Sequence, residues 1–260
     1  MIIKIISDLE PTHLKNENIS LKIYGDLVGY IKDEIYFNTQ ETLKILSSLN
    51  EPNEIEEILY GTIGSFFLLI ETLEDSRCYS SLVHNGIYYY LDLNSSTFYI
   101  SEDESDLVHR DDLVRDNVIR RIGKVNPGLH RFPLSSLFEK IERCPAGAYV
   151  QISKTSIVKN YLNKIFLNNS ISKGNKLSSD LLEKRLGLIL NAYRDFYGKF
   201  SLFMSGGIDS SVLMAVLKKN NIDTKSYYIP YSGLGSNNHK IAEYISLELG
   251  EKLNIVEEDN

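Results

Sequence analysis

Residues 203–211 read Phe-Met-Ser-Gly-Gly-Ile-Asp-Ser-Ser, and they constrain the fold of this chain more than any other stretch. An apolar run precedes them at 200–204, and a helix-like apolar run follows at 212–217. This order predicts a buried strand, a tight glycine turn and a helix. Two glycines let a ligand approach the backbone closely, and the start of a helix offers unpaired N–H groups and a positive dipole end. Such a turn suits a phosphate group.

The order of residues inside the turn separates it from two common phosphate loops. A Walker A loop requires a lysine before its Ser or Thr, and a dinucleotide-binding turn reads Gly-x-Gly-x-x-Gly. The turn at 203–211 has neither pattern. The Ser-Gly-Gly-x-Asp-Ser pattern at 205–210 resembles the pyrophosphate loop of the PP-loop ATP pyrophosphatases. Members of that family cleave ATP between the α and β phosphates and adenylate a substrate oxygen. The competing interpretation is a glycine turn that only joins a strand to a helix.

The resemblance implies a nucleotide site around this turn, with ATP and Mg²⁺ as the expected cofactors. Asp209 would lie near the phosphates and their Mg²⁺. Adenine would lie near Met204 and near the backbone at Ile229. The residues that the resemblance implies for binding pyrophosphate are Ser205, Gly206, Gly207, Ser210 and Ser211.

Composition disfavours several other classes of function. The 260 residues carry a net charge of −7 and no evident basic face, so nucleic acid is not an expected partner. No apolar run approaches the roughly 18 residues of a membrane span, and the first residues are too short an apolar run for a signal peptide. Cys78 and Cys144 are the only cysteines, which favours a reducing, cytoplasmic setting. The five histidines, His239 among them, do not cluster at metal-ligand spacing and are predicted to be surface or turn residues.

Residues 179–260 are predicted to form an α/β domain, and the polar stretch 167–178 is predicted to be a linker. Apolar residues recur at helical spacing from Leu182 to Phe196, and Gly198 is predicted to end that helix. The elements predicted beyond the glycine turn are a strand at 226–229, a helix at 240–249 and a strand at 253–256. This order implies a parallel sheet with right-handed crossovers, in which a ligand lies at the carboxyl ends of the strands.

Residues 1–166 are predicted to form an α+β domain of packed antiparallel sheets. Short β-like runs fill this part, and Asn-Gly at 85–86 between two apolar runs predicts a hairpin. The predicted strands are 2–6, 23–31, 65–70, 79–83, 87–93, 97–100 and 147–152. The predicted helices are 42–49 and 55–63.

Four N-terminal segments narrow the resemblance to the superfamily of asparagine synthetases, β-lactam synthetases and lasso-peptide cyclases. The segments that are similar to that superfamily are 64–70, which begins Gly-x-Phe, then 84–90, 98–102 and 141–150. The resemblance implies an Ntn-hydrolase-like sandwich followed by the start of a PP-loop domain, which is adenine nucleotide alpha hydrolase-like. It also implies ATP-dependent adenylation of a carboxylate, release of pyrophosphate, and attack by an amine to form an amide.

Glutamine hydrolysis is not expected, because the nucleophile of the family's glutaminase is missing. The family uses a cysteine that becomes the N-terminal residue after removal of methionine, and its free amine serves as the base for its own thiol. Ile2 stands in that place, and the internal Cys78 and Cys144 are predicted to be buried. No catalytic residue is therefore assigned.

A second departure from the superfamily concerns the end of the chain. Its synthetase domains continue well beyond the phosphate loop, whereas this sequence stops at Asn260. Three alternatives stay open: a complementary C-terminal chain completes the sheet, the chain is a degenerate remnant, or the sequence is a fragment. The carboxylate and the amine stay unidentified, and a peptide is one option. The alternative function is a non-catalytic partner or scaffold subunit that binds a peptide or protein, and a homo-oligomer is also an option.

Overall fold

A computed structural model describes residues 2–83, 86–108, 136, 138, 140–144, 146–153, 156–161, 179–230 and 237–256. The chain divides into two compact units, Met1–Ile31 with Phe37–Lys173, and Lys32–Tyr36 with Gly174–Asn260. The helices are α1 (Thr39–Ser48), α2 (Pro52–Leu59), α3 (Ser179–Tyr197), α4 (Ile208–Lys219) and α5 (Asn237–Glu248). The strands are β1 (Ile2–Ile6), β2 (Thr12–Lys15), β3 (Ser20–Lys32), β4 (Ile35–Asn38), β5 (Thr62–Glu71), β6 (Asp75–Ser80), β7 (Ile87–Asp92), β8 (Thr97–Ser101), β9 (Glu142–Cys144), β10 (Ala148–Ser153), β11 (Ile157–Tyr161), β12 (Phe200–Phe203), β13 (Thr224–Tyr228) and β14 (Leu253–Ile255).

Two sheets build most of the first unit. One has four strands in the order β1-β8-β7-β9, and the other has seven, in the order β11-β10-β6-β5-β3-β2 with β4 beside β3. Neighbouring strands such as β3 and β5, β5 and β6, and β7 and β8 pair antiparallel, whereas β1 and β8 pair parallel. The architecture is mixed α/β with several sheets, and in coarse outline the first unit is the expected α+β sandwich.

Strand β5 explains how the layers of the first unit stack. Because successive strand residues point to opposite faces of a sheet, its apolar residues serve two cores. Phe67 packs in one buried cluster with Phe98 of the four-stranded sheet. Phe66 packs in another buried cluster with Ile55 of α2. One face of the seven-stranded sheet therefore packs on the other sheet, and its opposite face packs on helices.

The hairpin expected at 85–86 is wrong. Strand β6, before that position, pairs with β5 and β10, whereas β7, after it, pairs with β8 and β9 of the other sheet. Cys78 of β6 and Ile87 of β7 both lie in the cluster between the two sheets, so the chain crosses from one layer to the other here. His84 and Asn85 themselves lie outside the described residues.

The predicted helix at 55–63 begins and ends earlier in the structure. Pro52 occupies the first turn, where its missing N–H costs no helical hydrogen bond, and the backbone N–H of Glu51 donates to the Glu54 side chain at 3.2 Å. The helix ends at Leu59, because the chain turns and β5 begins at Thr62. The predicted strand at 79–83 is likewise displaced, since β6 already ends at Ser80.

The second unit contains a parallel sheet in the order β12-β13-β14. Helix α4 connects β12 to β13, and α5 connects β13 to β14. This strand–helix order was expected from the sequence, and the parallel pairing of the strands is confirmed. Helix α3 ends before Gly198, as expected, and the Gly198 N–H donates to the Arg194 carbonyl at 2.7 Å.

The linker expected at 167–178 lies outside the described residues, so the domain boundaries on either side of it stay predictions. Among the described residues, no helix has the length and apolar character that a membrane crossing requires.

Candidate functional site

The glycine turn begins where β12 leaves the sheet. The Met204 N–H donates to the Tyr227 carbonyl at 2.8 Å, which extends the pairing with β13 one residue beyond the strand. The Met204 side chain is buried against Met214 of α4 and Ala242 of α5. Met204 therefore anchors the turn in the core. Only the backbone of Met204 would be available to the adenine that is expected near this residue.

Gly206 is the residue of the turn that only glycine can fill. Its φ is +76°, in the left-handed region that side chains disfavour. A Cβ atom placed on it would lie 2.3 Å from the carbonyl oxygen of Asn238, in the first turn of α5. Backbone therefore packs on backbone here, and this contact brings the start of α5 against the turn.

Hydroxyl groups hold the conformation of the turn. The Ser205 Oγ accepts from the Gly207 N–H at 3.2 Å and lies 3.1 Å from the Ser210 Oγ. The Ser210 Oγ also accepts from the Ser205 N–H at 3.3 Å and donates to the Gly207 carbonyl at 3.1 Å. The Ser211 Oγ donates to the same carbonyl at 2.7 Å. The three serines expected to bind pyrophosphate thus also order the loop that carries the backbone donors.

The first turn of α4 presents unpaired backbone donors. Its N-cap, Gly207, has no side-chain cap. The N–H groups of Ile208, Asp209 and Ser210 make no hydrogen bond to any other described residue. Such N–H groups, together with the positive end of the helix dipole, form an anion-binding position. The Ser210 side chain is buried, whereas Ile208 and Asp209 face solvent.

The expected site residues come together at one edge of the parallel sheet. Both α4 and α5 start at the carboxyl end of a strand, so their N-termini share that edge. Ile229 follows β13 at the same edge and is half exposed. Asp209 is the one carboxylate expected to contact Mg²⁺, and the described residues hold no cluster of three or more His, Cys, Asp or Glu suited to a metal ion.

The structure adds His239, which the sequence predicts to be a surface or turn residue. It lies in the first turn of α5, and its ring stacks on that of Tyr228 with centroids 4.9 Å apart. Its Nε2 atom is shielded from solvent and has no hydrogen-bond partner among the described residues. The position of His239 in the sequence could have identified it, because the first turn of the helix after β13 reaches the edge that carries the glycine turn.

The two cysteines lie far from solvent. Cys78 and Cys144 are free thiols and are fully buried in the same cluster between the sheets, as expected from the sequence. Burial, with a smaller contribution from Cys144, raises the pKa of the Cys78 thiol well above its usual value, which disfavours the nucleophilic thiolate. Ile2 lies in β1, where its N–H donates to the Ser96 carbonyl at 3.1 Å.

Comparisons with known proteins give a structural likeness only. No protein-family model matches the sequence. No curated protein sequence matches it either. One similar solved structure is that of "the allosteric regulatory enzyme of purine biosynthesis", with 10% identity and a TM-score of 0.35. The similarity covers 95% of this chain and 62% of that chain, so this chain spans less than two thirds of the other's length. The geometry of the glycine turn is therefore the basis for proposing a function.

Proposed function

We propose that this chain binds ATP at the glycine turn and acts in an AMP-forming amide ligation, as an asparagine synthetase-like protein. The observation that carries the proposal is the backbone of the turn, where left-handed Gly206 is followed by the unpaired N–H groups at the start of α4. The proposed nucleotide-binding residues are Met204, Ser205, Gly206, Gly207, Asp209, Ser210, Ser211 and Ile229. Such a PP-loop assignment gives each of them a role in one site.

The residues of the turn fit the phosphates of a nucleotide. ATP would supply the adenylyl group that activates a carboxylate, with pyrophosphate as the leaving group. The N–H groups of Ile208, Asp209 and Ser210 would donate to the phosphate oxygens and stabilise the negative charge that develops there. Gly206 carries no side chain, which leaves the backbone open to close approach. These donors are fixed by the serine hydrogen bonds before the ligand arrives.

Asp209 is the proposed Mg²⁺ contact. Its carboxylate is exposed in the first turn of α4, beside the unpaired donors. Mg²⁺ is commonly held by one or two carboxylates together with substrate phosphates and water, so one protein carboxylate fits a phosphate-bound ion. The Asp209→Ala variant is then expected to weaken ATP binding more with Mg²⁺ present than without it.

The proposed ligation uses an amine other than ammonia from glutamine. Cys78 and Cys144 are both buried free thiols, so neither offers an accessible nucleophile for glutamine. The attacking amine would therefore be part of a substrate, and a peptide fits this role. Free, buried thiols also fit the reducing, cytoplasmic setting that the cysteine content favours.

A second candidate function is a non-catalytic partner subunit, and one surface of α5 favours it. Ile241, Tyr244 and Leu247 recur every three residues and are 44%, 63% and 74% exposed. A contiguous exposed apolar patch is typical of an interaction surface. The proposed partners are a complementary C-terminal chain or a second copy of this chain.

Calorimetric titration of the full chain with ATP tests the proposal. We expect binding by the wild type and loss of binding in Gly206→Ala. Gly198→Ala is the matched control, because Gly198 also has a left-handed φ, +85°, but a Cβ there would meet nothing within 4 Å. Release of pyrophosphate on addition of a carboxylate and an amine would support the ligase over the partner subunit. Wild-type protein that binds no ATP would refute nucleotide binding.

A further inference from the structure

His239 is a polar residue at the candidate site, and it is not among the proposed nucleotide-binding residues. Its ring is fixed by stacking on Tyr228, the last residue of β13, and its Nε2 atom is shielded from water without a partner among the described residues. Shielded nitrogen atoms of this kind are rare, because a lost hydrogen bond costs free energy, and each one calls for an explanation. A ligand that supplies the missing hydrogen bond is such an explanation.

The position of His239 identifies the part of the ligand that it would meet. It follows Asn238, whose carbonyl oxygen packs on the Gly206 backbone, so the first turn of α5 adjoins the anion-binding turn. Tyr228 is partly buried and packs against the cluster that contains Met204, the residue that begins that turn. The N-termini of α4 and α5 share this edge, and both helix dipoles favour negative charge here.

We propose that His239 is a phosphate-binding residue of this site, which donates a hydrogen bond from Nε2–H to a phosphate oxygen of the bound nucleotide. The inference rests on the proposed ATP binding and assigns to α5 a direct part in it. A hydrogen bond from imidazole to a phosphate oxygen is charge-assisted and is stronger than a neutral one. Stacking on Tyr228 holds the ring in place, so little side-chain freedom is lost when the ligand binds.

Binding of three probes separates this role from the alternatives: ATP, inorganic pyrophosphate and adenosine, each titrated calorimetrically into the full chain. We expect His239→Phe, which keeps the aromatic stacking, to weaken ATP and pyrophosphate about tenfold or more and to leave adenosine unchanged. His239→Gln, which restores an N–H donor, should recover part of the loss. His13→Phe is the matched control, because His13 is exposed in β2 of the first unit.

The outcomes distinguish failure of the inference from failure of the proposed function. If His239→Phe and His239→Gln bind ATP and pyrophosphate as the wild type does, while Gly206→Ala binds neither, His239 has no phosphate contact and the nucleotide site stands. A loss confined to adenosine would place His239 at the base and would overturn the inference. Wild-type protein that binds neither ATP nor pyrophosphate would overturn both. Melting temperatures of each variant identify a loss of binding that only reflects unfolding, and His239→Gln then decides.

Discussion

The carbonyl oxygen of Asn238 occupies the space that a side chain on Gly206 would need, 2.3 Å from the ideal Cβ position. The two residues come from different crossovers of the parallel sheet, the turn after β12 and the first turn of α5. Their contact holds the N-termini of α4 and α5 close together at one edge of the sheet. The conformation of the turn therefore depends on α5 as well as on its own sequence.

Alanine substitution should lower the free energy of unfolding much more at Gly206 than at Gly207. In Gly206→Ala, the left-handed φ and the Asn238 carbonyl both oppose a Cβ, and we expect the free energy of unfolding to fall by at least about 2 kcal/mol. Gly207 has a φ of −85°, and a Cβ there meets only the Ser205 Oγ at 3.2 Å, so Gly207→Ala should cost under about 1 kcal/mol. Thermal denaturation of both variants measures the difference.

Gly198→Ala is the control for backbone strain alone. It has a left-handed φ without a neighbour within 4 Å of a Cβ, so we expect a cost of about 1 kcal/mol. Equal losses in Gly198→Ala and Gly206→Ala would mean that the Asn238 contact relaxes without cost.

A negative charge placed at the start of α4 should raise the stability of the fold and lower the affinity for ATP. Ile208 is 81% exposed in the first turn, so Ile208→Glu disturbs no packing. A carboxylate there interacts favourably with the helix dipole, and we expect the free energy of unfolding to rise by about 0.3–1 kcal/mol. The same charge repels phosphate, so the affinity for ATP should fall about tenfold.

The neutral variant Ile208→Gln controls for the loss of the apolar side chain. It should leave both quantities close to those of the wild type. Denaturant unfolding and calorimetric titration, both at low salt, give the two measurements. Unchanged ATP affinity in Ile208→Glu would show that phosphate does not bind at this helix start.

The buried cysteines should take no part in any release of ammonia from glutamine. We expect none from the wild type, and no change in Cys78→Ser or Cys144→Ser, because both thiols are inaccessible in the folded chain. Ammonia is measured by an enzymatic assay with glutamine as substrate. Production that depends on either cysteine would contradict the proposed use of a substrate amine.

Burial of Cys78 also predicts a pH dependence of stability. Its folded pKa lies above the ordinary value of 9.0, so the unfolded chain releases the thiol proton at a lower pH than the folded chain does. The stabilisation is complete below about pH 9 and is lost as the pH rises from there toward the folded pKa. Melting temperatures should therefore fall between pH 8 and 10.5, and the fall should be shallower in Cys78→Ala. Melting temperatures that fall equally with pH in the wild type and in Cys78→Ala would contradict the raised pKa of Cys78.

The sequence predicts the parts of this fold that local signals determine. The apolar run before Gly206 and the helical run after Gly207 predict the strand, turn and helix, because glycine and hydrophobic period act within a few residues. The parallel pairing follows from the alternation of strands and helices.

Other features depend on contacts that the sequence does not express. An Asn-Gly turn can close a hairpin or carry the chain to another sheet, and the outcome depends on which layer buries Cys78 and Ile87. The short strand β2 lacks an apolar run and is defined by its pairing with β3. The ring of His239 stacks on Tyr228, eleven positions earlier in the chain, and nothing in the sequence between them predicts this contact.

The apolar row on α5, formed by Ile241, Tyr244 and Leu247, should make the chain associate with itself at high concentration. Full burial of a leucine contributes about 1.5–3 kcal/mol, so three neighbouring exposed side chains can stabilise a contact between copies. We expect sedimentation velocity of the wild type to show larger species as the protein concentration rises from about 10 to 100 μM, where contacts of micromolar affinity become populated. Leu247→Glu should shift the distribution toward the monomer, because it replaces the most exposed apolar side chain of the row with a charge. Leu73→Glu is the matched control, since Leu73 is 97% exposed in the turn between β5 and β6 and lies in the other unit. A wild type that stays monomeric throughout would show that this row needs no second copy, and equal effects of the two substitutions would assign the association to general surface charge.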